Sequence, residues 1–171
     1  MPALALSLGL PFRSTGGGGA AGPPATPSYA NPGGTGDRSA LITIAQASSN
    51  VFINPSLLID GNTSGAGSYL NGTPDGEWIR FDFATAKIID EAKFYQSNSA
   101  SHGTWKFQGS PDASSWTDVG TSFTLGGTTT QTITELSGNT ADYRYYRMIK
   151  VSGTTNGGPW TYEMEFQIGT P

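Results

Sequence analysis

The sequence predicts an all-β protein, a jelly-roll β-sandwich that follows an extended N-terminal arm. Apolar and polar residues alternate in short segments, which recur about every 10–15 residues after Asp37. Glycine is frequent, with 24 of 171 residues, and hydrophobic residues make up only 36% of the chain. No segment shows the apolar period of a long helix. These observations favour many short strands joined by turns.

The clearest strand lies in the segment GEWIRFDFATA, whose side chains alternate in character. One face carries Ile79, Phe81 and Phe83, and the other carries Trp78, Arg80 and Asp82. This is the pattern of an antiparallel strand with one buried face. Further strands are predicted in SALITIAQAS, IIDEAKFYQ, TWKFQGS, TQTITEL, YRYYRMIKVSG and WTYEMEFQI, and after the turn in GSPDASSWTDVG.

The charge balance excludes several classes of function. The net charge is −4, so a nucleic-acid-binding protein is not predicted. The chain has no cysteine, so no disulfide framework is predicted either. The lack of cysteine also excludes a thiolate zinc site and a cysteine nucleophile. The only tight cationic cluster in the sequence is Arg144, Arg147 and Lys150. No apolar run reaches the roughly 18 residues that a membrane-spanning helix needs.

The first 36 residues differ from the rest in composition. They predict an apolar anchor peptide (1–13) and a tether (14–36) with Gly or Pro at 12 of its 23 positions, before a β-sandwich domain (37–171). The anchor alternates large and small residues, and its large apolar side chains are Leu4, Leu6, Leu8, Leu10 and Phe12. Such a segment suits a strand added to the sheet edge of a partner. Two alternatives stay open: a cleaved secretory signal, and a terminus without function.

From about Leu41 to Ile168 the chain resembles the discoidin domains, also called coagulation factor V/VIII type C domains. The resemblance rests on LLIDGNTSG, GEWIRFDFATAKIIDEAKFY, WKFQGSPDASSWTDVG, YRYYRMIKVSG and YEMEFQI, in that order. It implies a galactose-binding-like jelly roll that binds its ligand through loops at one end of the sandwich. The chain departs from the family in having Tyr69 where a Trp often follows the Asp-Gly turn, and in lacking a disulfide.

The resemblance also implies a structural Ca²⁺. Many carbohydrate-binding relatives hold this ion with an Asp-Gly loop and an acidic residue on the last strand. The matching positions here are Asp60, Asn62, Ser64 and Glu163. Calcium takes six to eight oxygen ligands, which side chains and loop carbonyls could supply. The alternative is an Asx turn with solvated acids.

Two loop segments, SNSASHGTW and SGTTNGGPW, carry the residue types that bind sugars. An aromatic ring contacts the C–H face of a pyranose, while planar polar groups bind its hydroxyls. The predicted ligand-binding residues are His102, Trp105, Asn156, Trp160 and Tyr69. The alternative is that both tryptophans are core or edge residues and that His102 is a solvated turn residue. The regular alternation of Trp105 with Phe107 favours that alternative for Trp105.

No catalytic constellation is predicted, because the single histidine has no GxSxG serine and the acids form no convincing pair. The predicted function is therefore non-enzymatic. The arm and the binding domain together suggest a virion surface protein of a bacteriophage or phage-like particle, namely a head or tail spike, fibre or decoration protein. Its expected partners are other virion proteins through residues 1–13, host-surface polysaccharide and further copies of itself. The alternatives are a secreted, extracellular bacterial carbohydrate-binding module and a purely structural capsid or tail cement protein.

Overall fold

The computed structural model describes residues 26–48, 51–70 and 72–171. The predicted anchor peptide, 1–13, lies outside these ranges. The described chain contains eight strands and one turn of 3₁₀ helix, Pro55–Leu58. The strands are β1 Thr43–Gln46, β2 Ser68–Tyr69, β3 Trp78–Gln96, β4 Thr104–Ser110, β5 Thr117–Thr124, β6 Thr130–Ile133, β7 Tyr143–Ser152 and β8 Trp160–Gly169. The all-β prediction is confirmed. None of the helical structure in these ranges is long and apolar enough to cross a membrane.

Two antiparallel sheets form the sandwich, and the long strand β3 belongs to both. In one sheet its first part pairs with β1 and β7, and β7 continues to β4 and β5. In the other sheet its last part pairs with β6 and β8, and β8 pairs with β2. The sequence predicted two separate strands where the structure has this single strand of 19 residues.

A local change of backbone direction lets β3 pass from one sheet to the other. Ala84 adopts a positive φ of 61°, and its backbone N–H donates to Oδ1 of Asp82 at 2.8 Å. Between Asp82 and Lys87 the pairing with β7 shifts in register, as at a β-bulge. After this irregularity only Lys87 still pairs with β7, and pairing with β8 of the second sheet begins at Ile88.

Aromatic side chains fill the space between the sheets. Phe81 and Phe166 lie edge to face with ring centroids 5.2 Å apart, and Phe107 stacks on Phe123 at 5.5 Å. All four side chains are buried. The apolar face predicted for GEWIRFDFATA is therefore the core face, and Trp78, Arg80 and Asp82 lie on the opposite, outer face.

The folded domain begins before Asp37, which corrects the predicted tether. Ser28 exchanges backbone hydrogen bonds with Ile168 at 3.0 and 3.1 Å, and the N–H of Phe166 donates to the carbonyl of Gly34 at 2.9 Å. Strand β2 is only two residues long, so it covers little of the outer edge of β8. Residues 28–34 supply partners for that edge, whose backbone groups would otherwise be unpaired.

Candidate functional site

Three loops meet at one end of the sandwich, as the resemblance implied. The loop after β3 is joined to β8 by the N–H of Ser97, which donates to the carbonyl of Trp160 at 2.8 Å. The loop after β2 is joined to the β7–β8 loop by the N–H of Leu70, which donates to the carbonyl of Pro159 at 3.1 Å. These backbone bonds hold four of the five predicted ligand-binding residues at the same end: Tyr69, His102, Asn156 and Trp160.

Trp160 and Tyr69 form an aromatic pair on the surface of this end. The two residues are direct partners across β8 and β2, and their ring centroids lie 4.9 Å apart. Trp160 keeps 42% of its surface exposed, whereas Tyr69 is half-buried behind it. An exposed tryptophan held by a second ring is a rigid apolar platform, because its contact with Tyr69 limits its rotamers.

Trp160 of this pair borders a groove of about 480 Å³. Its lining residues are Asn54, Leu57, Gly65, Ala66, Gly67, Trp160 and Tyr162. Tyr162 also borders a second, more polar groove of about 510 Å³, which includes Tyr95, Gln96 and Asn98. The sequence analysis missed Tyr162. Its position two residues after Trp160 on a strand was the signal that the two side chains share a surface.

His102 is completely buried, so its assignment as a ligand-contacting residue is corrected. Its Nε2 lies 3.2 Å from Oγ of Ser97, and the same Oγ accepts the backbone N–H of Trp160 at 3.1 Å. Burial lowers the pKa of His102 to about 4, so the ring is neutral at pH 7. Through Ser97, the histidine holds the backbone of Trp160 in place from behind.

Trp105 is also completely buried, which corrects its assignment to the binding surface. Its indole N–H donates to the carbonyl of His102 at 2.6 Å, and its ring stacks on Phe52 with centroids 6.1 Å apart. The side chain is therefore part of the core beneath the loops. Its alternation with Phe107 follows from this role, because both residues point inward from β4.

Asn156 is exposed in the β7–β8 loop. The loop is held to its neighbour by the N–H of Gly72, which donates to the carbonyl of Thr155 at 3.4 Å. A Cβ atom at Gly72 would lie 3.0 Å from Oδ1 of Asn156, so this amide faces the loop after β2. Tyr69, Trp160 and Asn156 are thus the predicted ligand-binding residues that lie at the surface.

The Asp-Gly loop forms two successive Asx turns. Oδ1 of Asp60 accepts the N–H of Asn62 at 2.9 Å, and Oδ1 of Asn62 accepts the N–H of Ser64 at 3.1 Å. Gly61 has a φ of +82°, and a Cβ there would lie 2.7 Å from the backbone nitrogen of Asp37. The N–H of Gly61 donates to Oε2 of Glu163 at 3.0 Å. One side-chain oxygen of Asp60 and that of Asn62 are thus engaged with the backbone of the loop.

Glu163 is completely buried, and the charge opposite its carboxylate is supplied by Arg38. The guanidinium of Arg38, also completely buried, forms a salt bridge with Oε1 of Glu163. It also donates to the carbonyls of Gly36 at 2.9 Å and Met164 at 2.6 Å. Burial lowers the pKa of Arg38 to about 10, which leaves it protonated at neutral pH.

This arrangement does not fit a calcium ion bound by Glu163. Oε2 of that carboxylate accepts the N–H of Gly61 and Oε1 is ion-paired with Arg38, so a second cation would lie against the guanidinium of Arg38. Within residues 26–48, 51–70 and 72–171, no three His, Cys, Asp or Glu side chains form a cluster that could hold a metal ion. The sequence analysis missed Arg38, because the residue lies 125 positions before its partner.

Comparison with known proteins identifies the family. Residues 43–166 match the family model of the F5/8 type C domain. The comparison with curated protein sequences gives no match.

Solved structures of family 32 carbohydrate-binding modules share the fold. The module of NanJ from Clostridium perfringens, in complex with galactose, is 16% identical, with a TM-score of 0.58 over 77% of this chain and 97% of that one. The module of AlyQ, in complex with 4,5-unsaturated mannuronic acid, is 24% identical, with a TM-score of 0.55 over 72% and 92%. Chitosan-binding module 1 of a chitosanase/glucanase from Paenibacillus sp. IK-5 is 22% identical, with a TM-score of 0.55 over 74% and 94%. Because the family match spans most of the chain and the strands follow the same architecture, this protein belongs to the F5/8 type C domain family.

Proposed function

We propose that this domain is a non-catalytic carbohydrate-binding module that binds glycan at the Trp160–Tyr69 pair. The observation that carries the proposal is the position of Trp160, 42% exposed beside an open groove and backed by Tyr69 at 4.9 Å. The C–H face of a sugar ring gains dispersion and electrostatic contact on such an indole face. Relatives with the same fold that bind galactose, an unsaturated uronic acid or chitosan support the assignment.

Polar groups around the pair would orient the sugar. Asn54 and Tyr162 line the groove, and Asn156 lies on the neighbouring loop. Amide and phenol groups both donate and accept hydrogen bonds, as sugar hydroxyls do. Because the groove is open and offers few polar groups, we expect weak binding by one domain. Several copies on one assembly would strengthen it through avidity.

The engagement of the titratable groups supports a non-catalytic role. His102 is buried and neutral, and Glu163 is paired with Arg38. Glu165 accepts hydrogen bonds from Thr35 and from the hydroxyl of Tyr95. A general acid or base must reach a substrate proton, which these groups do not do from their positions under the surface.

A narrower proposal concerns where the domain works. We propose that residues 1–13 anchor the protein in a virion, so that the sandwich is displayed toward host-surface polysaccharide. This proposal rests on the composition of an arm whose first 25 residues lie outside the described structure. The alternative is a secreted bacterial carbohydrate-binding module acting outside the cell. The intact mass of the protein from its native source distinguishes the two, because export with cleavage would remove the apolar peptide.

The test of glycan binding compares Trp160→Ala with Leu41→Ala. Leu41 is a matched control, since it is 49% exposed but lies in a different groove, beside Phe83 and Lys87. On an array of galactosides, uronic acids and chitosan oligosaccharides, the wild type and Leu41→Ala should bind the same glycans. Trp160→Ala should bind them roughly tenfold more weakly, the loss expected for one aromatic contact. Equal binding by the two variants would overturn the proposal.

A further inference from the structure

The outer face of the first sheet carries a second concentration of aromatic and cationic side chains. We call it the arginine–aromatic face. It consists of Trp78 and Arg80 on β3, Trp116 before β5, and Tyr145 and Arg147 on β7. All five are partly exposed, while their strand neighbours, such as Ile79 and Met148, are buried in the core. The face is distinct from the Trp160 end, because it lies on the first sheet, whereas Trp160 and Tyr69 lie on β8 and β2 of the second.

Guanidinium groups and rings alternate across this face. The guanidinium of Arg80 lies 5.8 Å from the ring centre of Trp78 and 5.4 Å from that of Tyr145. The guanidinium of Arg147 lies 4.1 Å from the ring centre of Trp116 and 6.0 Å from that of Trp78. These cation–π contacts hold the two arginines flat against the sheet.

Arg80 and Arg147 lie side by side although their like charges repel each other. They are direct cross-strand partners in the pairing of β3 with β7, where like charges destabilise a sheet. Neither forms a salt bridge with any carboxylate in the described ranges. Arg147 donates to the neutral amide of Gln108 at 2.8 Å, and Nε of Arg80 is buried without a hydrogen-bond partner among the described residues. Such an unmet donor is costly when buried.

The surrounding cations are different, because their charges are already paired. Arg144 binds both carboxylate oxygens of Asp82 at 2.8 and 2.9 Å. Lys106 binds Asp118 at 2.9 Å. The predicted cationic cluster is thus divided by the fold: Lys150 is buried and pairs with Asp75, and only Arg147 of the three joins the arginine–aromatic face. Two adjacent guanidinium groups with no salt bridge among the described residues remain on a protein whose net charge is −4.

We propose that the arginine–aromatic face binds an acidic polysaccharide chain. The planar guanidinium fork matches carboxylate and sulfate oxygens, so Arg80 and Arg147 would hold the acidic groups of the chain. The exposed edges and faces of Trp78, Trp116 and Tyr145 would contact sugar C–H groups. Neighbouring strands lie about 4.8 Å apart, so β3, β7, β4 and the start of β5 present a broad surface, which suits an extended polymer.

Other occupants fit the charges less well. Residues 1–25 contain no Asp or Glu, so the N-terminal arm of this chain cannot neutralise the two arginines. A second copy of the same face would bring four guanidinium groups together without adding a carboxylate to pair with them. A duplex nucleic acid carries one charge per about 1.7 Å, so it would meet more repulsion from the acidic remainder of the protein than a chain whose acidic groups are spaced more widely. A polysaccharide adds a C–H surface for the rings and carries its charges further apart.

The test uses the full chain and a pair of double variants that remove the same charge. Arg80→Gln/Arg147→Gln removes the unpaired arginines, and Lys106→Gln/Arg144→Gln removes two cations that already have partners. Affinity electrophoresis is run in gels containing polygalacturonate, heparin or neutral dextran, with polythymidylate as a non-sugar polyanion. We expect the wild type to be retarded by an acidic polysaccharide. The first pair should weaken this binding at least about tenfold, and the second by less than about threefold.

The outcomes separate this proposal from glycan binding at the loops. Retardation by polygalacturonate alone assigns carboxylates, retardation by heparin alone assigns sulfates, and either result supports the proposal. Trp160→Ala should keep its binding to the acidic polymer even where it loses its array glycans. No retardation of the wild type, equal losses in both pairs, or equally tight binding of polythymidylate would overturn the inference. Thermal melting checks folding, and removing the like-charge pair should leave the melting temperature of Arg80→Gln/Arg147→Gln unchanged or raised.

Discussion

Arginine and tryptophan each occur in two opposite environments in this domain. Arg38 and Trp105 lie completely buried under the loops, and their polar groups have partners in the protein. Arg147 is partly exposed and forms no salt bridge among the described residues, and Trp160 is 42% exposed beside a groove. The comparison teaches that residue type alone does not separate a structural role from a binding role. What separates the two roles is whether the polar groups of the side chain already have partners within the protein.

The largest loss of stability is expected from Arg38→Met. The change leaves the carboxylate of Glu163 buried without its countercharge and removes donors from the carbonyls of Gly36 and Met164. Breaking a buried ion pair in this way costs about 3–5 kcal/mol of unfolding free energy. Urea denaturation measures the loss. A comparable loss in Arg144→Met, whose salt bridge is exposed, would contradict the distinction between the two kinds of arginine.

Substitution of the buried Trp105 should cost more unfolding free energy than substitution of the exposed Trp160. Trp105→Phe loses a buried hydrogen bond and opens a small cavity, which should cost about 1–3 kcal/mol of stability. Trp160→Phe keeps an exposed ring and should change stability by less than about 0.5 kcal/mol. Paired urea titrations give both values. Equal losses would mean that Trp160 is part of the core, which its exposure argues against.

The stability of the domain should depend on pH through His102. Its folded pKa is about 4, below the ordinary value of 6.5, so the unfolded chain binds a proton over an interval in which the native ring does not. Stability is therefore complete above about pH 6.5 and falls as the pH drops toward about 4. Protonation would also leave Nδ1 buried with no partner among the described residues. The melting temperature measured across this interval shows the slope.

The matched variant for this prediction is His102→Gln, whose amide can still form a hydrogen bond with Oγ of Ser97. It should remove most of the slope between pH 6.5 and pH 4 while the melting temperature at pH 7 changes little. An unchanged slope would assign the pH dependence to the carboxyl groups instead. Asp82 is one such group, since its hydrogen bond with Arg144 lowers its pKa and its contribution is lost only at lower pH.

The smallest change in stability is expected when calcium is added or removed. Because Arg38 already supplies the charge opposite Glu163, neither millimolar Ca²⁺ nor a chelator should change the melting temperature. An ion that binds the native state raises stability by about 2.7 kcal/mol at a hundred times its dissociation constant. Thermal scans with and without the ion measure this. A clear increase would restore the calcium site predicted at Asp60, Asn62, Ser64 and Glu163.

The fold was accessible from the sequence because its signals are local. Alternation along GEWIRFDFATA placed Trp78 and Arg80 on one face and Phe81 on the other, as the structure confirms. The same kind of signal favoured a core position for Trp105, since it alternates with Phe107. Period-2 patterning works where each strand has one buried face and one open face.

The features that could not be predicted from the sequence depend on contacts between residues that are far apart in the chain. Nothing near Arg38 indicates that Glu163 will face it, and no periodicity in a loop predicts that His102 is buried. The Gly and Pro composition of 14–36 indicated a tether, yet residues 28–34 pair with an edge that only the assembled sheet creates. The opposition of Arg80 and Arg147 likewise appears only once the register of β3 and β7 is known.

The pairing of Ser28 with Ile168 gives the domain a polarity. Both residues lie next to the places where the polypeptide enters and leaves the sandwich, so a neighbouring segment on either side attaches at the same pole. Strand β8 runs from that pole back to Trp160 over ten residues, or about 30 Å at about 3.3 Å per residue. The flanking chain segments therefore join the domain at one pole, and the aromatic pair lies at the opposite pole. A force applied to a ligand at the proposed site would therefore be transmitted along β8 to the pole where the chain is attached.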